Sequence, residues 1–495
     1  MRLVLVGHEY KYAVEQIMLA LFPEERPEYS VANCDISSSE STKSHLAAES
    51  RLSLGAVYAV ACTTIYKDGK THRGYARVGR SMLCDKLATD RLLQRIIKQS
   101  FYRAAVGSVT APPVWGSLTG IRPAKLAMAA MESGMDAKTA AKALTRDYYV
   151  SPERAEICVD AARAAIAAKG SIEPNDIALY VGIPFCPTRC AYCSFVSNSV
   201  EKSFGLIEPF AQTLLREIEA AAETVRTLGL RVIAVYIGGG TPTSLPAETL
   251  ETIMSAIKTS FDLSKAREYT VEAGRPDTLT EQKLEIMARL GAGRICVNPQ
   301  SMSQTVLTAI GRRHTPEDAL AAAGLVRRGG SILNMDIIAG LPGDTPDGFR
   351  ATLDTVLAMR PQNVTVHTLS LKKGSRIMLE RSEIPSGADV SSMLEYASRN
   401  LRGVGYSPYY LYRQKYTTGG FENVGWSLPG CECLYNIIMM EELCTVLSLG
   451  GGGVTKLVTS DGARIDRIFN AKYPREYIMQ TEKLADKFIS FVKYM

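Results

Sequence analysis

The sequence predicts an α/β fold: a partly open (β/α)6 barrel between an N-terminal α+β domain and a C-terminal α+β extension. Three observations carry this. From Ile177 onward, short apolar runs alternate with amphipathic helical stretches through six repeats, and parallel strands require such crossovers. The runs are apolar on both faces, as when helices cover one side and a packed interior the other. The rhythm is absent before it begins at Ile177 and breaks after about Arg381. The expected domains are therefore 1–170, 171–380 and 381–495.

From the start, "LVLVG" reads as a strand and "YAVEQIMLALF" as a helix. A hairpin turns at Asp68-Gly69, a dipeptide suited to a tight two-residue turn. Helical patterns follow at Cys84 to Val106, Ala137 to Arg146 and Pro152 to Lys169. Between them, "PVWGSLTGIRPAKL" carries Trp115, with Gly116, Gly120 and Pro123 placed to turn the chain into a helix; it reads as an interdomain element.

The barrel strands are expected in "IALYVGI", "RVIAVYI", "EYTVEA", "RICVN", "ILNMDIIAG" and "NVTVHTLSL". The helices between them span Leu206 to Leu228, Ala247 to Phe261, Glu281 to Leu290, Pro316 to Arg328 and Pro346 to Met359. Six units fall short of a closed eight-unit barrel. Beyond Arg381, "YSPYYLYRQKY" reads as an edge strand, "GWSLPGCECLYN" as a loop, "LSLGGGGVTKLV" as a glycine-rich turn and the last residues as a helix.

Composition is that of an ordinary soluble globular chain, 46% hydrophobic and 22% charged. The net charge of +6 is spread along the sequence, so nucleic acid is not an expected partner, while an acidic small substrate remains compatible. No run is long enough for a membrane span. The chain has 11 cysteines and no signal-peptide pattern, which points to a reducing cytoplasm.

Cys186, Cys190 and Cys193 stand in C-x3-C-x2-C spacing directly after the first barrel strand. A structural zinc site takes four ligands. A [4Fe–4S] cluster bound by three thiolates keeps one iron open for another molecule. A three-thiol zinc site or simply buried cysteines are the alternatives. "GGGTPT", Glu272, Gln300 and Asp336 each lie at or just after later strands, positions that converge on the C-terminal mouth of such folds. Glycines there let the backbone approach a ligand closely.

"YVGIPFCPTRCAYC", "GGGTPT", "VEAGRPDTL", "NPQS", "IGRRHT" and "NMDIIAGLPGDT" together resemble, from Tyr180 to Leu371, the ordered landmarks of the oxygen-independent coproporphyrinogen III oxidase branch of the radical S-adenosylmethionine (SAM) superfamily. "WGSLTGIRP" and "ENVG…CLYN" resemble its HemZ subgroup, extending the similarity over nearly the whole chain. The resemblance implies that Cys186, Cys190 and Cys193 hold a [4Fe–4S] cluster. It also implies SAM contacts at Tyr180, Tyr192, Gly239, Gly240, Thr241, Glu272, Gln300, Arg312 and Asp336, with Arg313 competing with Arg312 for the inward position. The implied reaction is oxidative decarboxylation of two propionates of coproporphyrinogen III to vinyls. It is started by the radical formed when the reduced cluster splits SAM, with a reducing electron donor such as flavodoxin or ferredoxin. Carriage of haem, as in the HemW chaperone, and radical chemistry on another porphyrin are the alternatives.

The chain departs from the pattern at three places. Phe195 stands where the coproporphyrinogen enzyme has a fourth cysteine, and Gly182 replaces a histidine. "YNIIMM", Tyr435 to Met440, replaces the chaperone's H-N-x-x-Y-W, leaving Met439 and Met440 as core packing rather than haem ligands. Lys372, Lys373, Arg376, Arg413 and Lys415 are candidate partners for substrate carboxylates. Cys431 and Cys433 read as incidental thiols ahead of a metal or redox pair. The N-terminal domain receives no role from the sequence.

Overall fold

The computed structural model describes residues 1–29, 46–193, 198–372, 375–380, 382–414, 417–459, 462, 464–480 and 484–494. The chain forms two compact units. One comprises Met1–Pro123 with Ala130–Glu156, the other Ala124–Ala129 with Ile157–Met495.

The first unit is built on a five-stranded sheet of β1 (Arg2–Val6), β2 (Glu28–Tyr29), β3 (Leu46–Leu54), β4 (Tyr58–Lys67) and β5 (Lys70–Gly79), in the order β2-β1-β3-β4-β5. The β4–β5 hairpin turns at Asp68 and Gly69 as expected, both with positive φ (51° and 74°). β3 was not expected from the sequence, because Glu49, Arg51 and Ser53 break its apolar pattern. Helices Lys11–Leu21 and Lys86–Ala105 supply Ile17, Met18, Ile96, Ile97 and Phe101 to the core beneath this sheet. Asp85 caps the second helix by accepting from Ala88 N.

The second unit carries an eleven-stranded sheet. Its strands are β6 (Asp176–Ile183), β9 (Arg231–Gly239), β10 (Glu268–Glu272), β11 (Arg294–Cys296), β12 (Ile332–Ala339), β13 (Asn363–Thr368), β14 (Ser407–Arg413), β15 (Glu422–Ser427), β16 (Thr445–Gly450), β17 (Val454–Val458) and β18 (Ile465–Phe469). A separate parallel pair, β7 (Phe185–Cys186) and β8 (Asn198–Ser199), frames the cysteine loop. The order is β14-β15-β13-β12-β11-β10-β9-β6-β16-β17-β18, an open row rather than a closed ring. The expected strands β6, β9, β10, β11, β12 and β13 are mutually parallel. Helix Pro316–Arg328 has the expected bounds, set by a Thr315/Asp318 capping box with Pro316 at the first turn.

The C-terminal residues extend this sheet, and here three expectations need correction. "LSLGGGGVTKLV" is not a turn alone: Thr445–Gly450 is a further parallel strand beside β6, and Val454–Val458 returns antiparallel to it. Gly425–Ser427, expected in a loop, belongs to β15, paired to both β13 and β14. The single terminal helix is two, Pro474–Met479 and Leu484–Tyr494.

The strand β16 also accounts for Gly182. A Cβ at Gly182 would lie 2.6 Å from the Gly451 carbonyl, so the glycine turn after β16 occupies the space a histidine side chain would need. Glu217, wholly buried on helix Ile207–Thr227, anchors this edge. It accepts from Gly450 N (2.7 Å), Asn470 Nδ2 (2.9 Å), Tyr477 Oη (2.6 Å) and Lys487 Nζ (2.8 Å). With this many donors a buried charge pair is satisfied rather than stranded.

Candidate active site

The C-terminal ends of the parallel strands and the loops after them enclose a cavity of about 420 Å³. It is lined by all twelve residues matched to cluster and SAM positions: Tyr180, Cys186, Cys190, Tyr192, Cys193, Gly239, Gly240, Thr241, Glu272, Gln300, Arg312 and Asp336.

The cysteine loop is held by its neighbours' backbones. Gly240 N donates to Ile183 O and Thr241 N to Phe185 O, each at 2.7 Å, so the glycine loop braces the chain leading into Cys186. Thr241 Oγ1 lies 3.5 Å from Cys186 Sγ. On the other side, Ala191 N donates to Ile310 O (2.9 Å) and Thr188 Oγ1 to Gly311 O (3.1 Å).

Two buried arginines face this loop. Arg312 donates to Gly274 O (3.1 Å), to Asn298 O and to Tyr192 Oη (3.1 Å). Arg313 points outward to Glu201 at 2.6 Å, its side chain 63% exposed, so Arg312 is the inward one. Arg275 donates to Thr188 Oγ1 (3.0 Å) and reaches Cys190 Sγ at 3.7 Å. Burial pushes the Cys190 thiol up, but Arg312 and Arg275 more than offset it, and the thiol sits below its ordinary range.

Among the carboxylates, burial pushes Glu272 up to about 7. It accepts from Tyr236 Oη at 2.5 Å, which works the other way, while the nearby Asp336 charge adds to the rise. Asp336 is also buried, yet His367 (3.5 Å) and Asn334 Nδ2 (2.8 Å) hold its carboxyl below the usual range. Gln300 has φ +69°, kept there by backbone hydrogen bonds to Asp336 O (2.9 Å) and from Ile338 N (3.0 Å).

The site fits the cluster and SAM that the sequence implied. The buried oxygens Gln300 Oε1 and Asn298 Oδ1 have no hydrogen-bond partner among the described residues, an arrangement that a ligand's donors would satisfy. A Cβ at Gly238 would lie 2.9 Å from the Tyr236 ring and 3.2 Å from the Glu272 carboxylate, so the glycine lets these two side chains pack against the strand. Among the described residues, no three His, Cys, Asp or Glu side chains gather as ligands of a single ion would. A cluster instead spreads its thiolates over three irons.

Sequence reasoning missed Tyr236, Arg275, Asn298, His367 and Tyr412, which also line the cavity. Arg275 stands inside the quoted "VEAGRPDTL", and His367 is one of only 5 histidines and sits near a strand end; both signals were available. Of the candidate cations, Lys372 lines the cavity. Arg376 pairs with Glu380 at the surface, and Arg413 turns to Gly420 O. Lys373, Lys415 and Phe195 lie outside the described residues. Cys433 is buried and donates to Glu268 Oε1 (3.0 Å). The same carboxylate accepts from Leu434 N (2.6 Å), capping helix Leu434–Glu441, which carries Tyr435 and Met440 into the cavity wall.

Comparison with known proteins agrees with this geometry. Residues 180–356 match the radical SAM superfamily, whose members use a [4Fe–4S] cluster and SAM. The chain is 38% identical over 385 residues to the oxygen-independent coproporphyrinogen-III oxidase-like protein HemZ of Bacillus subtilis, covering 77% of each. It is 25% identical to the haem chaperone HemW of Escherichia coli, covering 61% of this chain and 75% of that protein. The solved structure of the Escherichia coli coproporphyrinogen III oxidase HemN shares the fold, with a TM-score of 0.51 at 21% identity over 65% of this chain and 72% of that one. The cysteine trio, the glycine loop and the open parallel sheet thus belong together: the chain is a member of the radical SAM superfamily, in its HemZ-type, oxygen-independent coproporphyrinogen III oxidase-like family.

Proposed function

We propose that the protein is a radical SAM oxidoreductase of tetrapyrrole synthesis that converts two propionates of coproporphyrinogen III to vinyl groups without oxygen. The observation that carries this is the single cavity lined by every residue matched to the family's cluster and SAM positions, together with the HemZ relationship. Each conversion takes –CH2–CH2–COO⁻ to –CH=CH2 and CO2, giving up one hydrogen atom and one electron. When bound, the cluster and SAM supply the hydrogen-abstracting radical, with the first electron coming from a donor such as flavodoxin or ferredoxin.

The chain's own residues do the rest. Cys186, Cys190 and Cys193 are the cluster ligands, and Arg275 and Arg312 favour the thiolate at Cys190. Gly239, Gly240 and Thr241 admit a ligand against the backbone. Tyr180, Tyr192, Glu272, Gln300, Arg312 and Asp336 offer it polar partners in a recessed cavity, where hydrogen bonds strengthen relative to bulk water. Haem carriage has support from the HemW relationship. Against it, the residue in place of the chaperone's histidine is Tyr435, 4% exposed and packed in a cluster of near-parallel rings with Tyr180 and Tyr236.

The test is anaerobic incubation of cluster-loaded protein with coproporphyrinogen III, SAM and a reductant, followed by mass spectrometry. A tricarboxylic intermediate and then protoporphyrinogen are expected. Stoichiometric haem binding with SAM cleavage and no decarboxylated product would overturn the oxidase reading in favour of the chaperone.

A further inference from the structure

The cavity wall divides by chemistry. The part built from β6, β9, β10 and the cysteine loop carries the thiols, the glycines and Glu272. The part supplied by β13, β14 and the residues after them carries His367, Lys372, Tyr412, Gln414, Asn423 and Asn436, without an acidic group. Asp336 joins the two, because His367 Nε2 lies 3.5 Å from its Oδ2. On the other ring nitrogen, Tyr412 Oη lies 3.4 Å from His367 Nδ1.

We propose that this second wall is a carboxylate-recognition subsite, in which Lys372 and the Tyr412–His367–Asp336 chain receive propionate groups of a tetrapyrrole. The proposal rests on the tetrapyrrole reading above and names the residues that would read its acidic groups.

The chain of contacts is suited to an anion. With Nε2–H committed to the Asp336 carboxylate, a neutral ring accepts the Tyr412 proton at Nδ1. If the ring takes a second proton, Nδ1–H donates to Tyr412 Oη instead. The phenol O–H then turns toward the cavity and donates a hydrogen bond to a carboxylate there. The positive ring is balanced by Asp336, so an arriving anion gains a donor and a nearby cation without leaving an unpaired buried charge.

Lys372 adds a point charge. It meets no carboxylate among the described residues. Burial pushes its ammonium below the ordinary range, as for a cation short of a partner. The rings of Tyr410 and Tyr412, 6.3 Å apart and within 8° of parallel, add aromatic surface to the same wall.

The test uses coproporphyrin III, the oxidised and unreactive macrocycle with the same four carboxylates, and its tetramethyl ester. Both are titrated into cluster-loaded protein without reductant. The wild type is expected to bind the free acid at least about tenfold more tightly than the ester. Tyr412→Phe and Lys372→Met should each weaken the free acid by about tenfold, the scale of one hydrogen bond to a charged group. Affinity for the ester and for SAM should stay within about twofold of the wild type, which also verifies folding. A wild type that prefers the acid, with both variants unchanged, would overturn the subsite while leaving the tetrapyrrole reading standing. A wild type that binds the acid and the ester equally would also overturn the subsite alone, and one that binds neither porphyrin would overturn both.

Discussion

Tyr435 lies on Tyr236, ring centroids 4.4 Å apart and planes 22° from parallel, and Tyr180 completes the cluster 6.0 Å from Tyr435 and 6.3 Å from Tyr236. The position that the haem-chaperone pattern gives to histidine is thus an aromatic packing position here. The Tyr435 hydroxyl is buried and has no hydrogen-bond partner among the described residues. Tyr435→Phe should therefore leave thermal stability unchanged or raised, since it deletes an unsatisfied polar group. Tyr435→Ala should cost about 3–5 kcal/mol by opening a hole between two site tyrosines. Denaturant unfolding of the two variants checks this; a Phe variant as unstable as the Ala variant would show that the hydroxyl has a partner.

How far the sequence could be read follows from what kind of signal each element leaves. Apolar strands separated by capped helices announce themselves, and helix Pro316–Arg328 has its bounds in its Thr-Pro start. The three thiols and "GGGTPT" are local patterns and were found together in the cavity. Contacts made across long separations left no such trace. Glu217 reads as one more charge on an amphipathic helix, yet it is fully buried against Lys487, 270 residues away. β16 was hidden because the glycine run after it reads as turn chemistry, whereas those glycines are needed for close packing on Gly182. Arg275, His367 and Tyr412 join the site only because β10, β13 and β14 end near it.

The cluster ligands are testable by composition. Anaerobically reconstituted protein should hold about four irons and four sulfides per chain. Cys186→Ala, Cys190→Ala or Cys193→Ala should each lower the iron count severely and abolish SAM cleavage. Cys431→Ala should leave the iron count alone, because Cys431 does not line the cavity. Iron loss in Cys431→Ala, or a full cluster in any of the first three, would displace the assignment.

Gly240 is expected to matter for the cluster as well as for SAM. From sequence alone, a side chain there should obstruct SAM and leave the cluster intact. In the structure its Cβ would lie 2.4 Å from Phe185 O and 2.8 Å from Ile183 O, the carbonyls that lead into Cys186. Backbone cannot yield as a flexible side chain does, so even Gly240→Ala should displace the cysteine loop. Iron content and SAM affinity should fall together. Normal iron with SAM binding alone impaired would restore the simpler steric account.

Glu272 should make SAM binding depend on pH in a defined direction. Its carboxyl is pushed by burial from an ordinary 4.5 to about 7, with Tyr180, Tyr236, Cys296, Asp336, His367 and Tyr435 as titratable groups around it. The raised folded-state value means that its contribution to apo stability is fully present below pH 4.5. That contribution is lost as pH rises through about 7. The loss amounts to about 3 kcal/mol at most. Ligand binding runs the other way. SAM carries an ammonium and a sulfonium, and a cation prefers the ionised carboxylate. SAM affinity, measured by calorimetry on unreduced cluster-loaded protein, should therefore rise about tenfold between pH 6 and pH 8 as Glu272 gives up its proton. Glu272→Gln should flatten that rise and bind SAM at every pH about as the wild type does at pH 6. His367→Gln should keep the slope, since the titrating group is then still present. A wild-type affinity that falls with pH would mean that the neutral carboxyl is the binding form, donating its proton to SAM rather than pairing with a cation.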